Sequence, residues 1–296
     1  MTSELQYMAR REKLKKKWTD TESGKELVKK YLSKLDFISV VCTFSGGRDS
    51  LASTLMTLDV LEELNKRHRC FIVFNNTTNE FPETVRYVHQ MFSWFKEEYP
   101  DLNIKTEETR PKIPFAKIVE DMFYIAVVMY EEGKWDKSKL TCCDTVKLYP
   151  MIEFLRKHYA HYVILGTRGD ESRLRFLSMF QQGPVTKSMH TKTFGKTKFI
   201  RPLWNWGIQD VMNYLKTHPK KPPINPLYDK GMDSIGCCLC PVPFLYNRDR
   251  IRKTYPPKIF ERGMQLLRKA IERTGQSLLD TFLGAEILLE EMNNRG

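Results

Sequence analysis

The chain has 296 residues, a formal net charge of +12 and a hydrophobic content of 41%. Such a content supports a large buried core and excludes a wholly disordered chain. No apolar run approaches the roughly 18 residues that cross a bilayer, and residues 1–18 are polar and basic, unlike a secretory signal. These features predict a cytoplasmic protein with no membrane partner.

Strands and helices are predicted to alternate along the chain. A basic helical lead-in comes first, followed by a buried strand at Phe37–Phe44 and a helix at Ser50–Arg67. The later predicted elements are a strand at Cys70–Phe74, helices at Pro82–Tyr99, Ala116–Glu131 and Thr145–Tyr159, a strand at His161–Leu165, a helix at Gly207–Thr217 and two amphipathic helices over Pro257–Asn294. This alternation predicts an α/β fold with a doubly wound parallel sheet. The expected divisions are a lead-in at 1–35, a core domain at 36–243 and a helical C-terminal extension at 244–296.

The most informative segment joins the first strand to the first long helix. It reads Ser45-Gly46-Gly47-Arg48-Asp49-Ser50. The two glycines let the backbone approach an anion closely because no Cβ intervenes, and the N–H groups at the helix start point towards that anion. The two serine hydroxyls add donors, and Asp49 suits a Mg²⁺ ion bound to phosphates. The pattern predicts a phosphate-binding loop that is not a Walker A loop; the alternative is an ordinary strand–turn–helix with a serine N-cap.

This Ser-Gly-Gly-x-Asp-Ser turn resembles the signature of the PP-loop ATP pyrophosphatases. In that superfamily the loop holds the β,γ-diphosphate of ATP, and attack falls on the α-phosphate. The resemblance implies an adenine nucleotide α-hydrolase-like fold, ATP and Mg²⁺ as cofactors, and a catalytic role for Asp49. It also implies nucleotide contacts from the whole turn, namely Ser45, Gly46, Gly47, Arg48, Asp49 and Ser50.

Four further stretches resemble the phosphoadenosine-phosphosulfate reductase branch, so the resemblance covers about residues 37–243. They are Asn76–Thr84, Gly166–Arg173, Arg201–Val211, and Asn225–Asp229 together with Ser234–Cys240. The first departs from the family's Asp-Thr-Gly-x-Glu-x-Pro-Glu-Thr, because Asn76 replaces the aspartate and Thr78 replaces the glycine.

Two of these stretches supply further candidate nucleotide contacts. Asn76 and Thr77 follow the second predicted strand, and Gly166 and Arg168 follow a later one. A guanidinium suits bidentate recognition of phosphate or sulfate. Arg168 is therefore the predicted anion clamp, with a catalytic role.

Five of the seven cysteines fall in two tight clusters. Thiolates suit iron–sulfur clusters and Zn²⁺ alike, and a reducing cytoplasm disfavours structural disulfides. A Cys-Cys pair with a Cys-x-x-Cys resembles the [4Fe-4S] site of adenylyl-sulfate reductases and related sulfur-transferring PP-loop enzymes. The resemblance implies ligation by Cys142, Cys143, Cys237 and Cys240, and leaves Cys238 as a spare, catalytic thiol. The alternatives are a three-ligand cluster with an open iron, a Cys₄ zinc site, and unligated core thiols.

The reductases of this branch use a further cysteine near the C-terminus, whereas no cysteine follows Cys240 here. This departure favours an ATP pyrophosphatase that adenylates an acceptor. Sulfur from the cluster, or from a persulfide on Cys238, then displaces AMP. The alternatives are an adenylyl-sulfate or phosphoadenylyl-sulfate reductase, and a non-catalytic, cluster-bearing subunit that binds nucleic acid or regulates a partner.

Basic stretches at residues 10–17, 183–203 and 247–273 predict a polyanionic partner. The last of them carries nine basic residues and three acids. A tRNA base or a DNA backbone is the expected acceptor, and the resemblance implies a cysteine desulfurase or another sulfur donor as a partner. The alternative is that these stretches are solvated helix faces.

Overall fold

The computed structural model describes residues 23–133, 142–187 and 197–274. Residues 1–22 of the basic lead-in, the centre of the basic stretch at 183–203 and the end of the C-terminal extension lie outside this part of the chain. The molecule divides into two compact units that interleave along the sequence. The first unit comprises Met1–Phe74, Arg86–Glu108 and Phe154–Asn225, and the second comprises Asn75–Val85, Thr109–Glu153 and Pro226–Gly296. The divisions at 35/36 and 243/244 stay a prediction.

A six-stranded sheet runs through the described residues. Its strands are β1 (Ile38–Thr43), β2 (His68–Asn75), β3 (Ile104–Thr109), β4 (Tyr162–Ile164), β5 (Val185–Lys187) and β6 (Lys198–Ile200). Their spatial order is β3-β2-β1-β4-β6-β5. β1 pairs in parallel with β2 and β4, and β4 pairs in parallel with β6, whereas β5 is antiparallel to β6. The predicted doubly wound sheet is confirmed, with one antiparallel edge strand, and the chain reverses its direction of winding between β1 and β4.

Helices connect and flank the strands. They are α1 (Gly24–Leu32), α2 (Arg48–Leu64), α3 (Pro82–Glu98), α4 (Val119–Glu131), α5 (Tyr149–Lys157), α6 (Arg173–Gln182), α7 (Ile208–Thr217), α8 (Pro241–Tyr246), α9 (Arg248–Thr254) and α10 (Pro257–Thr274). A π-helical turn at Asp144–Leu148 precedes α5, and 3-10 turns occupy Phe115–Lys117 and Gly169–Glu171. Within the described ranges, none of the helices combines the length and the apolar content that a membrane span requires.

Helix α2 lies deep in the first unit. Its predicted apolar face is buried, and so are polar residues on its other sides. The hydroxyl of Ser53 donates to the carbonyl of Ser50 at 3.1 Å, and that of Thr57 donates to the carbonyl of Ser53 at 2.8 Å. These two buried hydroxyls therefore have partners within the helix, whereas Oγ1 of Thr54 on the same helix is buried and has no hydrogen-bond partner among the described residues.

An aromatic core holds the second unit together. The rings of Phe123 on α4 and Phe244 on α8 lie 5.6 Å apart, and Leu267 on α10 is fully buried in the same cluster. Gly263 allows α10 to come close, because a Cβ there would lie 2.0 Å from Cζ of Phe244. This packing fixes which face of α10 is buried.

Candidate nucleotide loop and cysteine site

The turn after β1 is held together by its own hydrogen bonds. The Ser50 hydroxyl donates to the carbonyl of Gly47 at 2.9 Å and accepts from the N–H of Ser45 at 3.1 Å. The hydroxyls of Ser45 and Ser50 lie 3.1 Å apart. Gly46 has a φ of 79°, in the left-handed region that favours glycine. Gly47 is the N-cap of α2 and has no side chain to cap the first-turn N–H groups, which leaves them available to an anion.

Two residues outside the turn fix its position. Gly166 follows β4, and a Cβ there would lie only 2.6 Å from both Cα and N of Ser50. Asn225 is 1% exposed, and its Nδ2 donates to the carbonyl of Gly46 at 3.2 Å. Because β1 and β4 are neighbours where the strand order reverses, the turn lies at the crevice where doubly wound sheets bind ligands. The structure therefore brings the predicted Gly166 directly onto the loop.

Arg168 lies between two carboxylates. Its Nε donates to Oδ1 of Asp49 at 2.9 Å, and its Nη1 donates to Oδ1 of Asp170 at 2.6 Å. Burial raises the pKa of Asp49, and the opposing effect of the Arg168 guanidinium does not cancel it. The structure thus brings Asp49 and Arg168 into contact, as an ion pair at the start of α2. The role of Arg168 as an anion clamp stays a prediction.

All five clustered cysteines belong to the second unit. Cys142 and Cys143 precede the π-helical turn, and the others lie in the loop that leads into α8. A hydrogen bond with Cys143 and burial raise the pKa of Cys142, and the nearby Cys240 and Cys237 raise it further. Burial, with a smaller effect of the neighbouring thiols, raises the pKa of Cys237 and raises that of Cys240 to about 11. The four predicted ligands are therefore within electrostatic reach of one another.

An exposed cation, Lys147, and a half-buried acid, Glu80, accompany these thiols. Burial acts to lower the pKa of Lys147, but the pKa is raised because Cys237, Glu80 and Cys143 face the ammonium group. Burial raises the pKa of Glu80, whose carboxylate accepts a hydrogen bond from the Thr77 hydroxyl at 2.7 Å. That hydroxyl lies 3.6 Å from Sγ of Cys237. Lys147 is thus placed to stabilise thiolates at this site.

Asn79 clamps the loop of the Cys-x-x-Cys. Its backbone carbonyl accepts from the N–H of Cys238 at 2.7 Å, and its Oδ1 accepts from Sγ of Cys238 at 3.2 Å and from the N–H of Leu239 at 3.1 Å. Burial raises the pKa of Cys238 to about 12. A thiol that stays protonated and donates to Asn79 is a poor nucleophile at neutral pH, so this environment disfavours the predicted catalytic role of Cys238, which stays untested.

The donor chemistry, rather than the arrangement of the side chains, fits a metal at this site. Within the described ranges, no three His, Cys, Asp or Glu side chains are placed to hold a metal ion. Cys143, Cys237 and Cys240 nevertheless each raise the pKa of Cys142 and also that of Lys147. In addition, Nδ2 of Asn79 is buried and has no hydrogen-bond partner among the described residues, which leaves it free to donate to sulfur. The predicted ligand set stays a prediction.

Asn76 and Thr77 lie in the second unit, whereas the glycine turn, Gly166 and Arg168 lie in the first. Asn76 has a local role, since its Oδ1 accepts from the N–H of Thr78 at 2.9 Å. Thr78 has a φ of 61° at the position where the family pattern has glycine, which explains the need for glycine there. The nucleotide contacts of Asn76 and Thr77 stay a prediction.

Sequence reasoning assigned no role to four residues that the structure places at these sites, namely Asn79, Glu80, Lys147 and Asn225. Asn79 and Glu80 lie inside the Asn76–Thr84 stretch, close to the predicted nucleotide contacts Asn76 and Thr77. Lys147 lies one helical turn after Cys143, which is the only sequence signal for it.

Comparison with known proteins identifies the family. The family model for the phosphoadenosine phosphosulfate reductase domain matches residues 39–243, which is more than half of the 296 residues. The chain belongs to the phosphoadenosine phosphosulfate reductase family. The resemblance inferred from the motifs is thereby confirmed, and the glycine turn, Arg168 and all five clustered cysteines lie within the reductase-family domain.

Several relatives of this reductase-family chain are known. An uncharacterized protein of Methanocaldococcus jannaschii is 28% identical over 238 residues, which cover 79% of this chain and 42% of that protein. A second one from the same organism is 28% identical over 260 residues, which cover 87% of this chain and 54% of that protein. The chain thus spans about half the length of these two relatives. Adenosine 5'-phosphosulfate reductase 2 of Bacillus subtilis is 26% identical over 237 residues, which cover 76% of this chain and 86% of that reductase.

Two solved structures are similar to this reductase-family chain. The phosphoadenylyl-sulfate reductase of Candida auris has 18% identity and a TM-score of 0.46, covering 76% of this chain and 93% of its own. A U34-tRNA thiolase from Methanococcus maripaludis, solved with its [4Fe-4S] cluster, has 15% identity and a TM-score of 0.44, covering 85% and 78%.

Proposed function

We propose that this member of the phosphoadenosine phosphosulfate reductase family cleaves ATP between its α and β phosphates to adenylate an acceptor. It then supports sulfur transfer to that acceptor with the help of a cysteine-bound [4Fe-4S] cluster. The geometry of the glycine turn carries the proposal. A left-handed Gly46, two converging serine hydroxyls and the N-terminus of α2 meet at the switch point of the sheet, and this combination suits a diphosphate.

The chain's own residues account for the first step. The first-turn N–H groups and the hydroxyls of Ser45 and Ser50 bind the β,γ-diphosphate. Asp49 would hold Mg²⁺, which when bound would supply positive charge beside the leaving group. Arg168 keeps Asp170 as a partner and turns its Nε from Asp49 to an α-phosphate oxygen. An acceptor oxygen forms a bond to the α-phosphorus, the α–β anhydride bond breaks, and pyrophosphate leaves. The acceptor's proton passes to solvent.

The second step replaces an oxygen of the acceptor by sulfur. A hydrosulfide from a sulfur donor forms a bond to the activated carbon, the carbon–oxygen bond breaks, and AMP leaves with the oxygen. Cys142, Cys143, Cys237 and Cys240 would hold the cluster, and Lys147 would offset the negative charge of the thiolates. With all four thiolates bound, a [4Fe-4S] cluster would have no open iron; in the three-ligand alternative it would supply one iron open to sulfur. Zinc in a Cys₄ site is the other alternative.

A nucleic acid is the proposed acceptor. The net charge of +12 favours a polyanionic partner, and a tRNA base offers the carbonyl oxygen that the first step adenylates. A cysteine desulfurase or another sulfur donor supplies the sulfur; where the donor carries it as a persulfide, a thiol reductant delivers the two electrons that release it as hydrosulfide.

Pyrophosphate release tests the first step. Asp49→Ala should abolish pyrophosphate release from ATP and leave the circular dichroism spectrum of the chain unchanged. Asp101→Ala, at an exposed position, is the matched control and should retain full activity. Full activity in Asp49→Ala, or no affinity of the unaltered chain for ATP, would reject the proposal.

Metal content tests the cysteine site. After anaerobic purification, Cys240→Ser should lose iron and visible absorption, whereas Cys238→Ser should retain both because serine can also donate to Asn79. Equal iron in the two variants rejects the ligand assignment. Zinc without colour makes the site a Cys₄ zinc site.

The second candidate is an adenylyl-sulfate reductase, which the Bacillus subtilis relative favours. It predicts sulfite release from adenylyl sulfate with a thiol reductant and no pyrophosphate release from ATP. Incubating the same preparation with ATP and with adenylyl sulfate in parallel separates the two functions.

A further inference from the structure

Helix α10 has a buried apolar face, and a row of basic residues runs along one flank of it. Its buried residues are Gly263, Leu266, Leu267, Ala270 and Ile271. Four exposed basic residues lie along one flank of this buried face, at Lys258, Arg262, Lys269 and Arg273. At 3.6 residues per turn, these positions form one stripe about 22 Å long. The close packing of Gly263 on α8 fixes the stripe towards solvent.

The two ends of this stripe differ in their partners. Lys269 pairs with Glu120 of α4 at 3.2 Å, and Arg273 pairs with Asp121 at 2.8 Å. Lys258 and Arg262 make no ion pair with any described residue. Since they are four residues apart on a helix, their like charges repel. The N-terminal half of the stripe therefore lacks the counter-charge that its C-terminal half receives from within the unit.

Helix α9 carries a further exposed cation, five residues before Lys258. Arg250 pairs with Asp233, whereas Lys253 in the last turn is exposed and forms no ion pair within the described part of the chain. Tyr255 follows directly and packs edge-on against Phe81, with ring centroids 5.1 Å apart. Phe81 belongs to the same buried cluster as Cys238, so this end of the basic surface adjoins the cysteine loop.

We propose that Lys253, Lys258 and Arg262 form a docking surface for the phosphate backbone of a nucleic acid. Lysine and arginine neutralise phosphates and release condensed counterions, which supplies binding without reading the base sequence. The solvent side of α10 carries Gln265, Glu261 and Glu272 and no apolar residue, which disfavours insertion into a lipid surface. This surface would present the acceptor beside the cysteine loop. Only the presentation of the acceptor rests on the proposed function; the binding of the nucleic acid does not.

The salt dependence of RNA binding tests the surface. The full chain is titrated into fluorescein-labelled total tRNA, and into duplex DNA of similar length, between 50 and 200 mM KCl. The double variant Lys258→Glu/Arg262→Glu should bind at least tenfold more weakly at the lower salt. It should also show a log–log salt slope shallower by about 2, since each phosphate contact contributes about 0.7–0.9. The milder variant Lys258→Gln/Arg262→Gln should lower the affinity and the salt slope in the same direction. Because it introduces no negative charge, it controls for misfolding of the glutamate variant.

The matched control is Lys96→Glu/Lys216→Glu, which makes the same charge change at exposed positions of α3 and α7. Equal weakening in the control shows that only net charge matters and overturns the surface. Binding to vesicles with 30% phosphatidylserine but not to either nucleic acid also overturns it. Pyrophosphate release from ATP alone should be the same in all of these variants. If the unaltered chain binds RNA through this surface but releases no pyrophosphate, the proposed function fails and the docking surface stands.

Discussion

A methyl group at position 166 should collide with the backbone of the glycine turn. In Gly166→Ala the new Cβ would lie 2.6 Å from Cα and N of Ser50 and 2.7 Å from the carbonyl carbon of Asp49. Ordinary contacts between carbon atoms begin at about 3.5 Å, so the overlap is close to 1 Å. These are backbone atoms and cannot rotate away, so either the end of β4 or the turn must shift. Overpacking of this kind costs about 1–3 kcal/mol.

The same shift should weaken nucleotide binding. ATP binding must then return the shifted turn to its original position. If this costs about 1.4 kcal/mol, the affinity for ATP falls about tenfold. Urea unfolding followed by circular dichroism measures the first effect, and isothermal titration with ATP and Mg²⁺ measures the second.

Gly236→Ala is the matched control, because a Cβ there would meet nothing within 4 Å. It should unfold and bind ATP as the unaltered chain does. If Gly166→Ala binds ATP with unchanged affinity, then the turn that Gly166 supports is not the nucleotide site.

Two further predictions concern buried hydrogen bonds. Asn79→Ala removes the acceptor of two donors, the thiol of Cys238 and the N–H of Leu239. At about 1–3 kcal/mol for each unsatisfied donor, urea unfolding should show a loss of about 2–6 kcal/mol, and no loss would show that water replaces the side chain. Asp59 is half-buried, and this burial acts to raise its pKa, but hydrogen bonds from His218 and Tyr99 lower the pKa overall. Its contribution to stability is therefore present above the unfolded-state pKa of about 3.9 and is lost as the pH falls through the lower folded-state pKa. Asp59→Asn should be less stable than the unaltered chain at pH 7, and unfolding curves at falling pH should converge below about pH 4; a constant difference would contradict this assignment.

Local patterns in the sequence determined the main elements and the position of the phosphate loop. The apolar run before Ser45 and the helical spacing after Ser50 predicted β1 and α2 because such periodicities depend on neighbours within a few residues. Strand β3 escaped prediction, since Ile104–Thr109 holds three charged residues, two threonines and one apolar residue, and none of its residues is buried. Strands β5 and β6 have only three residues each, which is too short for a periodic signal.

The composition of each site was decided by the tertiary structure. The sequence by itself placed the glycine turn, an arginine and five cysteines on the list of functional residues. It could not show that Arg168 meets Asp49 across 119 residues, or that Asn225 holds Gly46 across 179 residues. Nor could it show that Asn79 clamps the loop around Cys238, 159 residues away. Such contacts depend on how strands and helices pack in space, and no short-range pattern in one sequence records which distant side chains that packing will bring together.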